Sequence, residues 1–304
     1  MSEFKKIVAL GGSGDQGIPL IRELKAKDFD VTAGVRRADA MKATPFPNIK
    51  TVHADIMDVE TLKLAFQGQD ALITHLPFEH DRTRAKTYGR NIAQAAKDAG
   101  LKKIIFNTSC YGAKQELGIT GHDGRRDIKS AIAGSGVPYV FIEPVVFMNN
   151  MIAPWCKPSL VKHNLFAYPA KPDLKISFIS LDDVARLMVA ALQNPDANNQ
   201  SFIVGGPEAL TGAEVAKVLS QAAGRDIQFK SLSPTEFAEN ISELVTGSRN
   251  IPEGSVYEGM ARFYSFYNDQ PQSPLEVDAE TFLPQLPVTL TSFSDWAHAQ
   301  DWSA

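Results

Sequence analysis

The chain of 304 residues is 44% hydrophobic and 22% charged, an ordinary globular balance that excludes disordered and fibrous classes. Its net charge is −4 and no Lys/Arg run exceeds two residues, so no nucleic-acid partner is expected. No apolar run approaches the roughly 18 residues of a membrane span, and the start, MSEFKKIVAL, lacks a secretory pattern. Two cysteines, Cys110 and Cys156, suit a reducing compartment, so no membrane association and a cytoplasmic location are expected.

The first half alternates. KKIVAL reads as a short buried strand, and the loop LGGSGDQG follows it. A helix then carries Ile18, Ile21 and Leu24 on one side, with Pro19 tolerated in its first turn. FDVTAGVRR and IKTVHADI read as the second and third strands, and DVETLKLAFQG as a helix opened by Asp58 and closed near Gly68. DALITHL is a fourth strand, TYGRNIAQAAKDAG a helix stopped by Gly100, and KKIIFNTS a fifth strand. GHDGRRDIKSAIAGSG is helical and VPYVFIEP a sixth strand. Continuous apolar strands alternating with amphipathic helices predict an α/β fold, a doubly wound parallel sheet covered on both faces.

Prolines recur from Pro154 to Pro172 without period, which predicts an irregular excursion. The last third is mainly helical. SLDD, TGAE and SPTE place Ser or Thr three residues before an acid, so Ser180, Thr211 and Ser233 are predicted N-caps. QSFIVGG is one more strand. The expected division is a Rossmann domain over 1–153, with 176–205 returning to it, and a smaller substrate-side subdomain over 154–175 and 206–304.

The loop places Gly11, Gly14 and Gly17 three apart, after a strand and before a helix, in the first βαβ unit. Gly11 permits the tight turn, Gly14 the approach of backbone amides to a pyrophosphate, and Gly17 close packing of helix on strand. The helix mouth adds partial positive charge. Ser13, Asp15 and Gln16 of the same loop are candidate cofactor contacts. The second strand ends in Arg36 and Arg37, where a carboxylate would accept bonds from a ribose 2′-hydroxyl. A guanidinium suits a 2′-phosphate instead, which predicts NADP(H) with Arg36 as the main clamp.

These segments, with HADIMDVETLKLAFQGQDALI, GRNIAQAAKDAGLKKIIFNTS, GSGVPYVFIEPVVFMNN and ISFISLDDVARLMVAAL, resemble the NmrA-like branch of the atypical short-chain dehydrogenase/reductase superfamily over nearly the whole length. The resemblance implies that Asp55 and Ile56 flank the adenine. It places Leu76, Pro77 and Phe78 on the ribose side, and Pro144 to Phe147 by the nicotinamide. Many relatives in the wider superfamily use Tyr-x-x-x-Lys with a Ser ending the fifth strand. Aligned back from GSGVPY, the Tyr position is Gly121 and the Lys position Arg125. Ser109 falls at the Ser position, and Tyr111, His122 and His75 are nearby proton-carrying candidates. Ser109, Tyr111, His122 and Arg125 are therefore the catalytic candidates. His75, Phe147, Asn150 and Trp155 are the substrate-side candidates. Phe147, Met148, Met151, Trp155, Phe263 and Phe266 offer an apolar lining.

No metal site is expected: His75, His80 and Asp81 straddle a strand end and a loop. No serine-hydrolase elbow is present. The reading is an NADPH-dependent oxidoreductase passing hydride to a small organic acceptor, aromatic, quinone-like, imine or enone, as monomer or homodimer. The alternative is a non-catalytic NADP(H) sensor acting through protein partners. An epimerase or dehydratase of a sugar nucleotide is disfavoured by the missing Tyr and Lys.

Overall fold

The computed structural model describes residues 4–37, 39–113 and 115–303, which group into two compact units. The first comprises 1–144, 181–204 and 280–289, and the second 145–180, 205–279 and 290–304. The sequence reading ended the sheet domain at 153 and returned 176–205 to it. In the structure the chain leaves the sheet at Pro144, and 280–289 come back to the first unit.

The first unit holds β1 (Lys6–Leu10), α1 (Gly17–Ala26), β2 (Asp30–Val35), β3 (Lys50–His53), α2 (Val59–Phe66), β4 (Ala71–His75) and α3 (Arg82–Asp98). It continues with β5 (Lys103–Asn107), α4 (Thr120–Ala133) and β6 (Tyr139–Pro144). All strands pair in parallel, because each crossover contains a helix or a long connection. Ile7, Val8 and Ala9 are successive residues of β1 and all fully buried, as a sheet covered on both faces requires. Val8 and Leu10 join Leu62, Phe66, Tyr88, Ile92, Ile128 and Ile132 in one core, placing α2, α3 and α4 over that face. Asp58 and Asp81 cap α2 and α3 through their carboxylates; α3 thus begins five residues before the predicted start.

The second unit opens with a short 3-10 turn (Met148–Ile152), and the stretch read as irregular, Pro154 to Pro172, holds α5 (Lys157–His163, with Pro158 in its first turn) and β7 (Leu165–Tyr168). After β7 the chain returns to the first unit for α6 (Leu181–Gln193) and β8 (Gln200–Val204), completing a seven-stranded sheet of order β3-β2-β1-β4-β5-β6-β8. The second unit resumes with α7 (Gly212–Ala223), β9 (Gln228–Ser231), α8 (Pro234–Thr246), α9 (Val256–Asn268) and α10 (Phe293–His298). β7 pairs in parallel with β9 as a separate two-stranded sheet. That partner lies some sixty residues away, so no local pattern announces the strand. Thr211 forms a full capping box with Glu214, and Ser233 caps α8, as predicted. α6 begins directly after Ser180.

No helix among the described residues is long and apolar enough to cross a membrane.

Candidate functional site

The strand order reverses between β1 and β4, where crossovers leave in opposite directions and their carboxyl ends open a crevice. The glycine loop sits there. Gly11 has φ +74, and Gly14 and Gly17 close successive turns, their N–H groups donating to Gly11 O (3.1 Å) and Gly14 O (2.9 Å). A Cβ at Gly17 would meet Gly11 O and lie 2.6 Å from Gly12 Cα, so only glycine lets α1 start this close to the loop. At Gly14 a Cβ would meet only ordinary contacts, Gly11 O at 3.6 Å and His75 Nε2 at 3.9 Å.

Gln16 occupies the N-cap of α1 yet makes no side-chain cap bond. Its Oε1 instead accepts from Asn107 Nδ2 (2.8 Å) and Ser109 Oγ (3.1 Å) at the end of β5. Asn107 Oδ1 in turn accepts from Ser109 N (2.7 Å). Ser109 is held at φ +61, an uncommon conformation for a residue with a Cβ. The helix mouth keeps its partial positive charge uncapped while its flank is tied to β5. The loop therefore fits a pyrophosphate: glycine-lined, amide-rich and unopposed by a capping carboxylate. Ser13 and Asp15 are exposed in the same loop.

Arg36 and Arg37 follow β2 and are both exposed. Arg37 Nε lies 3.8 Å from Asp39 Oδ1, whereas Arg36 makes no ion pair among the described residues. Asp55 Oδ1 accepts from Met57 N (2.9 Å), closing a turn, and Ile56 O accepts from Asn91 Nδ2 (3.0 Å).

His75 ends β4 with its ring against Gly11. Burial, then the charge of Arg125, holds its pKa down at about 4. Arg125 is almost wholly buried: its Nη2 donates to Leu76 O (3.0 Å) and Pro77 O (3.1 Å), and its Nη1 has no hydrogen-bond acceptor. Phe78 is 46% exposed, with its ring centroid 5.6 Å from the Arg125 guanidinium carbon. A Cβ at Gly121 would lie 2.8 Å from Phe78 Cε1. Thus Phe78 covers the Tyr position, and the residue at the Lys position is spent on the carbonyls just past β4.

Tyr111 and His122 meet edge to face with centroids 6.4 Å apart. His122 is buried in the first turn of α4 and hydrogen-bonded to the Tyr111 main chain; burial pushes its pKa down to about 4. Burial, and then Glu143, raises the Tyr111 phenol. At neutral pH both histidines are neutral and Tyr111 keeps its proton. Cys110 is buried with its thiol pushed up to about 11, so it is no nucleophile.

Two contributors went unread in the sequence. Asn107 is one. The other is Glu143, buried at the end of β6 and paired with Lys129 of α4; its Oε2 has no hydrogen-bond partner and lies against Gly112. A charged residue inside VFIEP was the signal available.

In the second unit Phe147 forms an isolated bridge with Ile179, and Met148 and Met151 are fully buried. Asn150 is half-buried in the 3-10 turn that follows β6. Trp155 stands edge to face on Phe237 at 5.5 Å, and Phe263 on Tyr267 at 4.6 Å; Phe266 packs on Tyr267 at 5.5 Å. Among the described residues, no three His, Cys, Asp or Glu side chains group as a metal site.

A parallel sheet whose order reverses beside a glycine loop and an uncapped helix defines a Rossmann-type, dinucleotide-binding class of protein. Within that class the chain belongs to the NmrA-like family, whose model matches residues 3–297. It is 28% identical over 259 residues to an NAD(P)H azoreductase of Xenophilus azovorans, covering 85% of this chain and 86% of that protein. Its fold matches an NADPH-dependent quinone oxidoreductase of Escherichia coli solved with NADPH (TM-score 0.78, 23% identity, 96% and 98% of the two chains). It also matches NmrA, a negative transcriptional regulator solved with NADP (TM-score 0.73, 17% identity, 99% of each chain). The two structural likenesses show the fold.

Proposed function

We propose that this protein is an NADPH-dependent oxidoreductase that passes hydride to a small organic acceptor, aromatic, quinone-like, imine or enone. The observation that carries the reading is the glycine-lined, uncapped mouth of α1 at the sheet's reversal point, with Arg36, in no ion pair among the described residues, just past the end of the neighbouring strand β2. The azoreductase relative agrees with it in kind of chemistry.

Gly11, Ser13, Gly14, Asp15, Gln16 and Gly17 hold the pyrophosphate, and Arg36, assisted by Arg37, takes the 2′-phosphate. Asp55 and Ile56 border the adenine, Leu76 and Pro77 the ribose, and Pro144 the nicotinamide. The bound dihydronicotinamide supplies the hydride. Ser109, fixed between Gln16 and Asn107, orients the acceptor oxygen. His75 and His122 are neutral at neutral pH and Arg125 does not deprotonate, so water supplies the proton after hydride arrives. Within the first unit, His75 contributes on the substrate side.

Two measurements test this. Fluorescence titration is expected to show tighter binding of NADPH than of NADH; equal or reversed preference overturns the cofactor assignment. Consumption of NADPH is then followed with quinones, imines, enones and azo dyes, and turnover with at least one class is expected.

A second reading, an NADP(H) sensor without turnover, is favoured by Phe78 lying over Gly121, where the superfamily's proton-donating Tyr would stand. A tight NADPH complex that no acceptor in the panel oxidises selects it.

A further inference from the structure

Phe78 is a large apolar side chain held half in solvent, and everything behind it is fixed. Arg125 grips the two preceding carbonyls, Leu76 O and Pro77 O. The next residue, Glu79, accepts from the Tyr88 hydroxyl (2.5 Å), Arg84 Nε (2.9 Å) and the main-chain N–H groups of His80 and Asp81 (3.0 Å each). Burial pushes the Glu79 carboxyl up, but the bonds from Tyr88, the Asp81 N–H and Arg84 outweigh it and hold the group down at about 2, so the anchor stays charged. Gly89 and Gly124 bring α3 and α4 together beneath this loop; a Cβ at Gly89 would lie 2.8 Å from Ile128 Cα. The ring itself has His80 at 4.9 Å, tilted by 56°, and the Arg125 guanidinium 5.6 Å from its centroid. The loop leaves β4 beside the glycine cradle, on the side where Gly121 lacks a side chain.

A rigid, exposed ring at the carboxyl end of a sheet is costly to leave in water and matches another π-face. We propose that Phe78, with His80 at its edge, is the stacking shelf of the substrate site and selects flat, conjugated ring compounds; this rests on the reductase reading and moves Phe78 from the cofactor to the substrate. Gly121 belongs to the same device. Its missing side chain is the room into which the Phe78 ring settles, so the lost tyrosine and the gained shelf are one exchange. Arg125 is a positioning residue that holds the loop.

The test is calorimetric titration of the full chain with anthraquinone-2-sulfonate in the absence of NADPH, with NADPH affinity measured separately. Wild type and Phe78→Trp are expected to bind the probe. Phe78→Leu, which keeps bulk but no π-face, is expected to weaken it about 5–10-fold. Gly121→Ala, which displaces the ring, is expected to do the same. NADPH affinity is expected to change less than twofold in all three. Probe binding unaffected by Phe78→Leu overturns the shelf, as does a parallel loss of NADPH affinity, which returns Phe78 to the cofactor. No binding of the probe by wild type at millimolar concentration also overturns it. Failure to bind NADPH with probe selectivity intact overturns the reductase reading and leaves the shelf standing.

Discussion

The imidazole of His75 lies against the α-carbon of Gly11: a Cβ there would come within 2.7 Å of the ring's Cε1. The last residue of β4 and the first glycine of the β1 loop are therefore fitted to each other across the sheet's reversal point. The three glycines are thereby not equivalent. Gly17→Ala drives a methyl into backbone and is expected to cost about 3 kcal/mol or more, seen as a large fall in melting temperature. Gly14→Ala meets nothing closer than 3.6 Å and is expected to leave melting nearly unchanged while weakening NADPH by tenfold or more. Equal thermal effects from the two substitutions would contradict the division between packing and ligand approach.

Arg36 and Arg37 are adjacent but differently engaged, because Asp39 lies near Arg37 only. Arg36→Ala is expected to weaken NADPH by roughly ten- to a hundredfold, a charge-assisted contact of about 1.5–3 kcal/mol, and to leave NADH unchanged. Arg37→Ala is expected to cost less than fivefold. Raised ionic strength is expected to narrow the NADPH preference of wild type more than that of Arg36→Ala.

At the end of β5, Ser109 donates to the same Gln16 oxygen as Asn107 while its own backbone is held at φ +61. Ser109→Gly relaxes the backbone and loses the hydroxyl; Ser109→Ala loses the hydroxyl and keeps the strain. Both are expected to lower kcat if the hydroxyl orients the acceptor, with Ser109→Gly the more stable of the two. A change confined to NADPH affinity would make Ser109 a support for Gln16 alone.

The elements legible in the sequence were those written in local chemistry. Asp58, Thr211 and Ser233 announce their helices because a cap is a contact within four residues, and β1, β4 and β5 announce themselves as apolar runs flanked by turn signals. The cradle was legible for the same reason: Gly11, Gly14 and Gly17 belong to one loop. What stayed hidden depends on distant partners. β7 exists because β9 pairs with it, and Phe78 gains its meaning from Gly121, some forty residues on. The aromatic stripe MNNMIAPW reads alike whether it lines a pocket or a core; Met148 and Met151 turn out fully buried.

The Glu143–Lys129 pair stands at the end of β6, with Glu143 buried and Lys129 mostly so. Removing one partner strands the other, so Lys129→Met is expected to destabilise by about 3–5 kcal/mol, while Lys129→Met with Glu143→Leu is expected to recover most of it. Glu143 Oε2 lies against Gly112, so Gly112→Ala is expected to disturb the same pair. Urea titrations of the single and double variants measure the coupling; strict additivity would show that the pair contributes nothing jointly.

His122 gives the fold a pH dependence of definite sign. Its pKa falls from 6.5 to about 4 on folding, chiefly through burial. Below pH 6.5 the unfolded chain therefore takes up a proton that the folded chain refuses. Stability is full above about pH 6.5, declines as pH falls towards 4, and levels off for this group below that. A shift of this size corresponds to about 3 kcal/mol over the window. His75, depressed to about 4 as well, adds a slope of the same sign in the same range. Glu79, held at about 2, contributes lower down, between about pH 4.5 and 2. His122→Gln is expected to be less stable than wild type at pH 7.5 but to show a shallower decline between pH 6.5 and 4.5, measured by urea midpoints at each pH. An unchanged slope would mean that the His122 ring titrates alike in the folded and unfolded chain and is not the buried neutral group described above.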